Sequence, residues 1–243
     1  MMNLARLNYR QFKLMIMMLI RAKFFIFVSL SFSLSAKAQD KADTTYMSTY
    51  YEQKVTLFRL LPNTKKEIIF LGNSITDIGE WAEIWNNKKV KNRGISGDNT
   101  FGVLARLDEV ISSAPSKIFI MIGINDIARE TPDSIIFSNY KKILNIIQAQ
   151  SPSTKIFVQS ILPTNDNFTE FKRHQQKTAH IIAINKVLEQ YCVANKITYV
   201  DLYPTFLDEQ KKLNRQFTND GLHINGAGYM KWKENLIQRG YMK

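Results

Sequence analysis

Cysteine is almost absent from this 243-residue sequence, which contains only Cys192. A single cysteine excludes an intramolecular disulfide, so the folded chain has to be stabilised by its hydrophobic core. A chain of this length is sufficient for one domain with a full core. The sequence also shows no internal repeat, low-complexity tract or linker after residue 44. These features favour a single domain that follows a short N-terminal segment.

Acidic residues are absent from the start of the chain, because the first one is Asp40. Residues 24–35 form a mostly apolar run between Arg21 and Lys23 on one side and Ala36-Lys37-Ala38 on the other, a pattern typical of signal-peptide cleavage. We predict that residues 1–38 are a signal peptide and that the protein is exported, to the periplasm or the medium, without membrane contact after cleavage. The alternative is a membrane anchor, which the short apolar run disfavours.

The positive charge of the sequence is concentrated in that segment. The formal net charge is +12, but six of the basic residues precede Gln39, so the remainder carries +6. A moderate charge that is spread along the chain is more typical of a solvated surface than of a nucleic-acid interface. We therefore predict no nucleic-acid partner, and DNA or RNA binding is the least favoured interpretation.

Short apolar segments alternate with longer amphipathic segments along the chain. This alternation predicts an α/β fold with a parallel sheet in a three-layer α/β/α sandwich. The predicted strands are residues 66–71, 90–94, 117–123, 155–161 and 197–202. The predicted helices are residues 43–61, 80–85, 99–111, 133–150, 170–195 and 226–239. We divide the exported chain into an N-terminal helical segment, residues 39–65, and an α/β domain, residues 66–243.

Three polar or flexible residues follow the first three predicted strands. They are Ser74, Gly94 and Asn125. Because the carboxyl ends of parallel strands meet at one edge of the sheet, we expect these residues to be neighbours. Taken alone, Ser74 could equally belong to an ordinary turn that begins a helix.

Histidine is scarce, with three in the chain. His174 and His180 lie among lysine, arginine and glutamine, which is typical of an exposed helix face. His223 follows Asp220 by three residues in a glycine-containing loop after the last strand. An aspartate at this spacing is able to bind the imidazole Nδ1 while Nε2 faces another group.

Serine, histidine and aspartate in this arrangement are suited to nucleophilic catalysis. A serine hydroxyl needs a base to accept its proton, and the base needs a carboxylate that holds its tautomer. We predict Ser74 as nucleophile, His223 as base and Asp220 as the orienting acid. The amides of Ser74 and Gly94 and the side-chain amide of Asn125 are suitable oxyanion-hole donors.

Four motifs resemble those of the SGNH or GDSL hydrolases. They are Phe70-Leu-Gly-Asn-Ser74-Ile-Thr, Asn92-Arg-Gly94-Ile-Ser-Gly, Gly123-Ile-Asn125-Asp and Asp220-Gly-Leu-His223. The resemblance covers residues 45–240 and is greatest to bacterial acetylesterases related to platelet-activating-factor acetylhydrolase catalytic subunits, including enzymes that act on O-acetylated sugars such as sialic acid. It implies the same triad and oxyanion hole. It also implies a flavodoxin-like fold with a five-stranded sheet in the order 2-1-3-4-5.

The chain departs from the family motif at Asn73, where the family has aspartate. An amide is able to support the turn by hydrogen bonding, so we expect activity to survive. Asp77 and Asp126 are further carboxylates near the predicted site, and we interpret both as structural.

The residues that would contact the substrate are less well defined by the sequence. Trp81 and Trp85 either stack on a sugar ring or belong to the core. Ile78, Phe101 and Tyr203 either line an acyl pocket or, by default, pack in the core. No long apolar lid segment is evident, which favours a short acyl group.

The sequence therefore predicts a serine esterase that removes an acetyl group from a small-molecule or glycan ester without a metal or organic cofactor. The alternatives are a lysophospholipase or thioesterase of the same family, and a non-catalytic carbohydrate-binding protein on a hydrolase scaffold. The oligomeric state is not predicted.

Overall fold

The computed structural model describes residues 44–243, so the predicted signal peptide lies outside the described residues. Five strands form one parallel sheet in the order β2-β1-β3-β4-β5. The strands are β1 Ile68–Gly72, β2 Val90–Gly94, β3 Lys117–Met121, β4 Lys155–Gln159 and β5 Thr198–Val200. The predicted α/β class and the strand order are confirmed.

Helices cover both faces of the sheet. The α-helices of the described chain are α1 Thr49–Leu60, α2 Ser74–Asp77, α3 Trp81–Ile84, α4 Thr100–Ala105, α5 Leu107–Ile111, α6 Ile124–Ala128, α7 Asp133–Gln150, α8 Thr178–Ala194 and α9 Gly226–Gln238. Short 3₁₀ helices are found at Lys172–His174, Tyr203–Phe206 and Arg215–Phe217. No helix within residues 44–243 combines the length and apolarity that crossing a bilayer requires.

Two predicted helices differ from those observed. The helix predicted over residues 99–111 is divided into α4 and α5 at Arg106, whose φ of −122° and ψ of 13° are not helical. The helix predicted from residue 170 begins only at Thr178, because Phe171 and Gln176 are left-handed, with φ of 49° and 57°. A left-handed residue interrupts an α-helix, so the segment before Thr178 is an irregular connection that contains one 3₁₀ turn.

Alternating strand residues fill two separate cores. Ile69 and Leu71 of β1 pack with α4, α5, α7 and α8 on one face of the sheet. Phe70 lies on the other face, where it stacks on Phe119 at 4.9 Å, and Phe119 stacks on Phe157 at 4.5 Å. The three phenylalanines are register partners in neighbouring strands. Since both faces are covered, the strands are apolar without alternation, as the sequence indicates.

Helix α1 packs beside the edge strand β2. Its buried residues Tyr51, Val55 and Phe58 contact Ile95, the residue after β2. Ser48 caps the helix by accepting a hydrogen bond from Tyr51 N. The hydroxyl of Tyr51 donates to Gly102 O at 2.7 Å. The helix predicted before the sheet is therefore part of the folded domain.

A fully buried arginine joins the ends of β1 and β2. Arg106 donates from Nε to Asp98 Oδ2 at 2.9 Å and from Nη1 to Glu109 Oε1 at 3.2 Å. Its Nη2 donates to the backbone carbonyls of Arg93 at 2.9 Å and Gly72 at 3.4 Å. Burial raises the pKa of Asp98 and of Glu109, while the charge of Arg106 opposes that rise. Asp98 therefore depends on the Arg106 guanidinium for compensation, whereas Glu109 shares it with Arg93, whose Nε donates to Glu109 Oε2 at 3.1 Å.

Replacing Arg106 by Met should lower the free energy of unfolding by about 3–5 kcal/mol, because the change removes the ion-pair partner of the buried Asp98 and leaves Glu109 with Arg93 alone. Urea denaturation measures the effect. Arg59→Met is the matched control, since Arg59 forms an exposed ion pair with Asp108 at 3.3 Å and its loss should cost less than about 1 kcal/mol. Equal losses for the two variants would contradict a structural role for Arg106.

Candidate active site

Ser74 lies at the abrupt transition from β1 to α2. A Cβ added to Gly72 would lie 2.3 Å from Thr76 Oγ1 and 2.5 Å from Met121 O, so only glycine permits this tight turn. Asn73 is buried, and its Oδ1 accepts a hydrogen bond from Ile75 N at 3.0 Å. The expectation that an amide supports the turn in place of the family aspartate is confirmed.

His223 and Asp220 lie in the loop before α9. The turn is closed by Thr218 Oγ1, which accepts a hydrogen bond from Gly221 N at 2.9 Å. Gly221 has a φ of +82°, and its carbonyl accepts from Asn165 N at 2.8 Å. This contact fixes the loop against the connection that follows β4.

The three predicted catalytic side chains form one hydrogen-bonded chain. Nε2 of His223 lies 2.9 Å from Ser74 Oγ, and Nδ1 lies 2.7 Å from Asp220 Oδ2. Burial would raise the pKa of Asp220, but hydrogen bonds from the amides of Leu222 and His223 and from the imidazole lower it overall. Asp220 is therefore ionised at neutral pH, so it accepts a hydrogen bond from Nδ1–H and leaves Nε2 as the acceptor for the serine hydroxyl.

Two of the predicted oxyanion donors lie at the pocket beside the serine. The N–H of Ser74 is the first of α2 and has no acceptor among the described residues. Asn125 lies in the first turn of α6, just beyond β3, and donates from Nδ2 to Asp98 O at 2.8 Å. An amide nitrogen carries two hydrogens, so the second hydrogen of Asn125 remains for a ligand.

The prediction of Gly94 as the third donor is wrong. The N–H of Gly94 donates to Asn92 Oδ1 at 2.8 Å, and the residue does not line the pocket. A Cβ on Gly94 would lie 2.2 Å from Asp77 N, so this glycine permits β2 to approach α2. Gly97 lines the pocket instead, with a φ of +81° and an N–H that no described residue accepts. Gly97 is the last residue of the same motif as Gly94, so the sequence contained a signal for it.

The pocket beside Ser74 has a volume of about 430 Å³. Its apolar walls are Ile78, Ala128, Phe171 and Leu222, and its polar walls include Ser96, Arg129 and Arg173. Of the three residues considered for an acyl pocket, only Ile78 lies there. Tyr203 packs against the core of the sheet, and Phe101 does not line the pocket.

Of the two interpretations of Trp81 and Trp85, the structure supports the core, and a substrate-binding role for them is wrong. Trp81 is 1% exposed and stacks on Phe70 at 3.9 Å, and its Nε1 donates to Thr76 O at 2.7 Å. Trp85 is also buried in this aromatic core. Trp81 therefore packs against β1 and bonds α2 behind the nucleophile turn, and neither tryptophan lines the pocket.

Asp77 and Asp126 are structural, as predicted. Asp77 forms an ion pair with Lys54 at 2.8 Å and accepts a hydrogen bond from Tyr50 Oη at 2.7 Å, so it holds α1 against α2. Asp126 is fully buried and accepts from Thr100 N at 3.1 Å. Burial raises the pKa of Asp126 to about 6 despite these hydrogen bonds.

The profile of the GDSL-like lipase/acylhydrolase family matches residues 70–231, a span that contains every member of the triad and more than half of the chain. The chain belongs to this family. The resemblance in the sequence motifs is thereby confirmed.

This GDSL-family chain is similar to several known proteins. It is 24% identical over 171 residues to the platelet-activating factor acetylhydrolase IB subunit alpha2 of Rattus norvegicus, covering 68% of this chain and 72% of that protein. A GDSL-like lipase structure from Bacteroides thetaiotaomicron is 28% identical, with a TM-score of 0.68 and coverage of 78% and 96%. A catalytic mutant of the acetylxylan esterase Axe2 from Geobacillus stearothermophilus is 18% identical, with a TM-score of 0.58 and coverage of 75% and 97%, and shares the fold.

His174 is a site residue that the sequence did not reveal. Its Nε2 lies 2.9 Å from Asn125 Oδ1, and its Nδ1 is buried without a partner in the part of the chain that the structure describes. Burial, with smaller contributions from the charges of His223 and Arg173, lowers the pKa of His174 to about 4. The ring is therefore neutral and donates from Nε2, which orients the Asn125 amide. The expectation of an exposed histidine is wrong here, whereas His180 is exposed beside Asp133.

The two glycines of the second motif should differ when each is replaced by Ala. Gly94→Ala should destabilise the GDSL fold by about 3 kcal/mol or more, since the added Cβ meets backbone atoms that have little room to move. A Cβ added to Gly97 meets open space, so Gly97→Ala should lower the free energy of unfolding by only about 1 kcal/mol, the cost of the positive φ. Thermal or urea unfolding measures both changes. A Gly94→Ala variant of full stability would contradict the assignment.

The pH dependence of stability should report the buried state of His174. Its pKa is about 4 in the folded chain and near 6.5 when unfolded, so the unfolded chain binds more protons between these values. The stability that neutral His174 supplies is present above about pH 6.5 and is lost as the pH falls toward 4. We expect this loss to be about 1–2 kcal/mol after allowing for partial exposure.

His174→Gln keeps a donor for Asn125 but removes the titrating group. Comparing the two proteins cancels the opposite contribution of Asp126, whose pKa is raised. Urea denaturation from pH 4 to 7 should show the difference in unfolding free energy changing across this range. Parallel curves for the two proteins would contradict the assignment.

Proposed function

We propose that this chain is an exported serine esterase that removes a short acyl group from a carbohydrate hydroxyl through an acyl-enzyme. The proposed acyl group is acetyl. The observation that carries the proposal is the continuous chain from Ser74 Oγ through His223 to Asp220, with distances of 2.9 and 2.7 Å. Membership of the acylhydrolase family supports an ester substrate.

In the acylation step, Ser74 Oγ attacks the carbonyl carbon of the ester as His223 Nε2 accepts the hydroxyl proton. Asp220 stabilises the imidazolium through Nδ1. The new oxyanion is bound by the N–H groups of Ser74 and Gly97 and by Nδ2 of Asn125, each donor worth on the order of 3 kcal/mol. His223 then gives its proton to the leaving alkoxide as the carbon–oxygen bond breaks.

Deacylation repeats the sequence with water as the nucleophile. Water attacks the acyl carbon of the Ser74 ester, His223 accepts the water proton, and the collapse of the oxyanion breaks the bond to Ser74. His223 returns the proton to Ser74 Oγ, and the carboxylic acid leaves. No cofactor is needed to balance these steps.

A short acyl group is supported by the modest extent of the apolar wall. Four residues supply the apolar surface of the pocket, whereas a long acyl chain needs an extended apolar channel to leave water. The similar rat protein is named an acetylhydrolase. The carbohydrate part of the proposal is supported by the polar groups on the pocket wall. A protein of the same fold is named an acetylxylan esterase.

Export is supported by the sequence pattern at residues 21–38, a basic start, an apolar run and a small-x-small end. Mass spectrometry of the protein from its native cells should find a mature N-terminus near Gln39. An intact N-terminus would contradict cleavage.

Replacing Ser74 by Ala should lower kcat for 4-nitrophenyl acetate by at least about 10³-fold and abolish labelling by a fluorophosphonate probe, because the nucleophile is lost. Ser96→Ala is the matched control. Ser96 also lines the pocket, but its hydroxyl donates to Asp77 Oδ2 at 2.8 Å instead of facing the histidine, so labelling should persist.

Undiminished turnover by Ser74→Ala would overturn the mechanism. An unlabelled wild-type protein that binds glycans would instead support a non-catalytic carbohydrate-binding protein. A series of nitrophenyl esters tests chain length, and a higher kcat/KM for octanoate than for acetate would favour a lysophospholipase or thioesterase.

A further inference from the structure

Two arginines line the pocket without an acidic partner. Arg129 and Arg173 both face the space beside Ser74, and none of the described residues that line this space is Asp or Glu. Within residues 44–243, no carboxylate forms an ion pair with either guanidinium. The pocket wall therefore carries two positive charges that no ion pair within residues 44–243 neutralises.

The carboxylates around the pocket already have partners. The pairs are Asp77 with Lys54 at 2.8 Å, Asp98 with Arg106 at 2.9 Å, Asp220 with His223 at 2.7 Å and Glu130 with Lys177 at 3.7 Å. For these four carboxylates, an ion pair with Arg129 or Arg173 would compete with an existing partner. The two positive charges are consequently available to a ligand.

Arg129 is held in place by groups that do not cancel its charge. Its Nη1 donates to Thr45 O, and its Nη2 donates to Gly97 O at 3.3 Å. Backbone carbonyls fix a guanidinium but carry no net charge, so the group is oriented and remains cationic. The contact with Gly97 also places this charge beside the proposed oxyanion hole.

Arg173 is positioned by the contacts of its neighbours. The Phe171 ring packs on the His223 ring in an edge-on contact, with centroids 4.8 Å apart, and His174 bonds Asn125. Residues on both sides of Arg173 are thereby tied to the catalytic groups. Lys172 belongs to the same 3₁₀ turn but does not line the pocket. Of the lysine and the arginine in this turn, only Arg173 therefore lines the site.

We propose that the ester substrate carries an anionic group, a carboxylate or a phosphate, on the same molecule as the acyl group, and that Arg129 and Arg173 bind it. This inference rests on the proposed esterase function and narrows its substrate class to acylated sugar acids or acylated sugar phosphates. Guanidinium groups bind both anions through charge-assisted hydrogen bonds. A neutral glycan ester would leave both charges unused.

A matched set of acetate esters tests the proposal. The set is 3-acetoxybenzoate, 3-acetoxyphenyl phosphate and neutral 3-acetoxybenzamide. At low salt, kcat/KM for one of the anionic esters should exceed that for the amide by about tenfold or more, and sodium chloride should reduce the advantage. The larger ratio identifies carboxylate or phosphate as the preferred group.

Arg173→Gln should reduce that anionic-to-neutral ratio by about tenfold, whereas Lys172→Gln, its neighbour outside the pocket, should retain it. Arg129→Gln should also reduce the ratio. A wild-type ratio near one, or equal ratios in Arg173→Gln and Lys172→Gln, would overturn the inference. If Ser74→Ala is inactive in the same assays, the esterase proposal stands even when the anion inference fails.

A binding experiment tests the anion site independently of the esterase activity. Calorimetry with Ser74→Ala measures 3-acetamidobenzoate against neutral 3-acetamidobenzamide, two amides that the reaction does not consume. Tighter binding of the benzoate that is weakened by Arg173→Gln supports the anion site even if the protein hydrolyses no ester. Equal binding of the two amides, together with equal binding of 3-acetamidophenyl phosphate, would overturn it.

Discussion

The buried guanidinium of Arg106 is the constraint on which the candidate site depends. It bonds the backbone carbonyls of Gly72 and Arg93, at the ends of β1 and β2, and the carboxylate of Asp98. Gly72 precedes the nucleophile turn, and the carbonyl of Asp98 in turn accepts from Asn125. One charged group therefore fixes the relative positions of three loops. An apolar side chain of equal volume would fill the space without satisfying those carbonyls.

Much of this site could be predicted from the sequence because the relevant signals are local. The glycine-serine turn follows an apolar strand, and the Asp220 to His223 spacing fits one turn of chain. The parallel topology then brings the ends of β1 and β3 to the same edge of the sheet, so Ser74 and Asn125 become neighbours by a general rule. Local pattern was sufficient for the α/β class and for the proposed triad, whereas the strand order came from the resemblance to the SGNH or GDSL hydrolases.

The errors concern features that depend on three-dimensional contacts. Gly94 and Gly97 lie in one motif, and only the hydrogen bond to Asn92 shows which N–H is already used. Trp81 and Trp85 follow the nucleophile closely, but α3 turns their rings beneath β1. His174 lies among basic residues that suggest solvent, yet it bonds Asn125 from 49 residues away. Neither the hydrophobic periodicity of the sequence nor the spacing of its motifs contains a signal for such a contact.

The connection between β4 and α8 contacts both the proposed base and a proposed oxyanion donor. Phe171 packs on the proposed base, and His174 orients a proposed oxyanion donor, so a displacement of this connection would disturb both. Arg173 lies between these two contacts and faces the pocket. An anion bound by Arg173 would therefore restrain the same segment that holds His223 and Asn125. Binding energy that orders catalytic groups affects kcat as well as KM. Anionic substrates should therefore have a higher kcat and a lower KM than neutral ones.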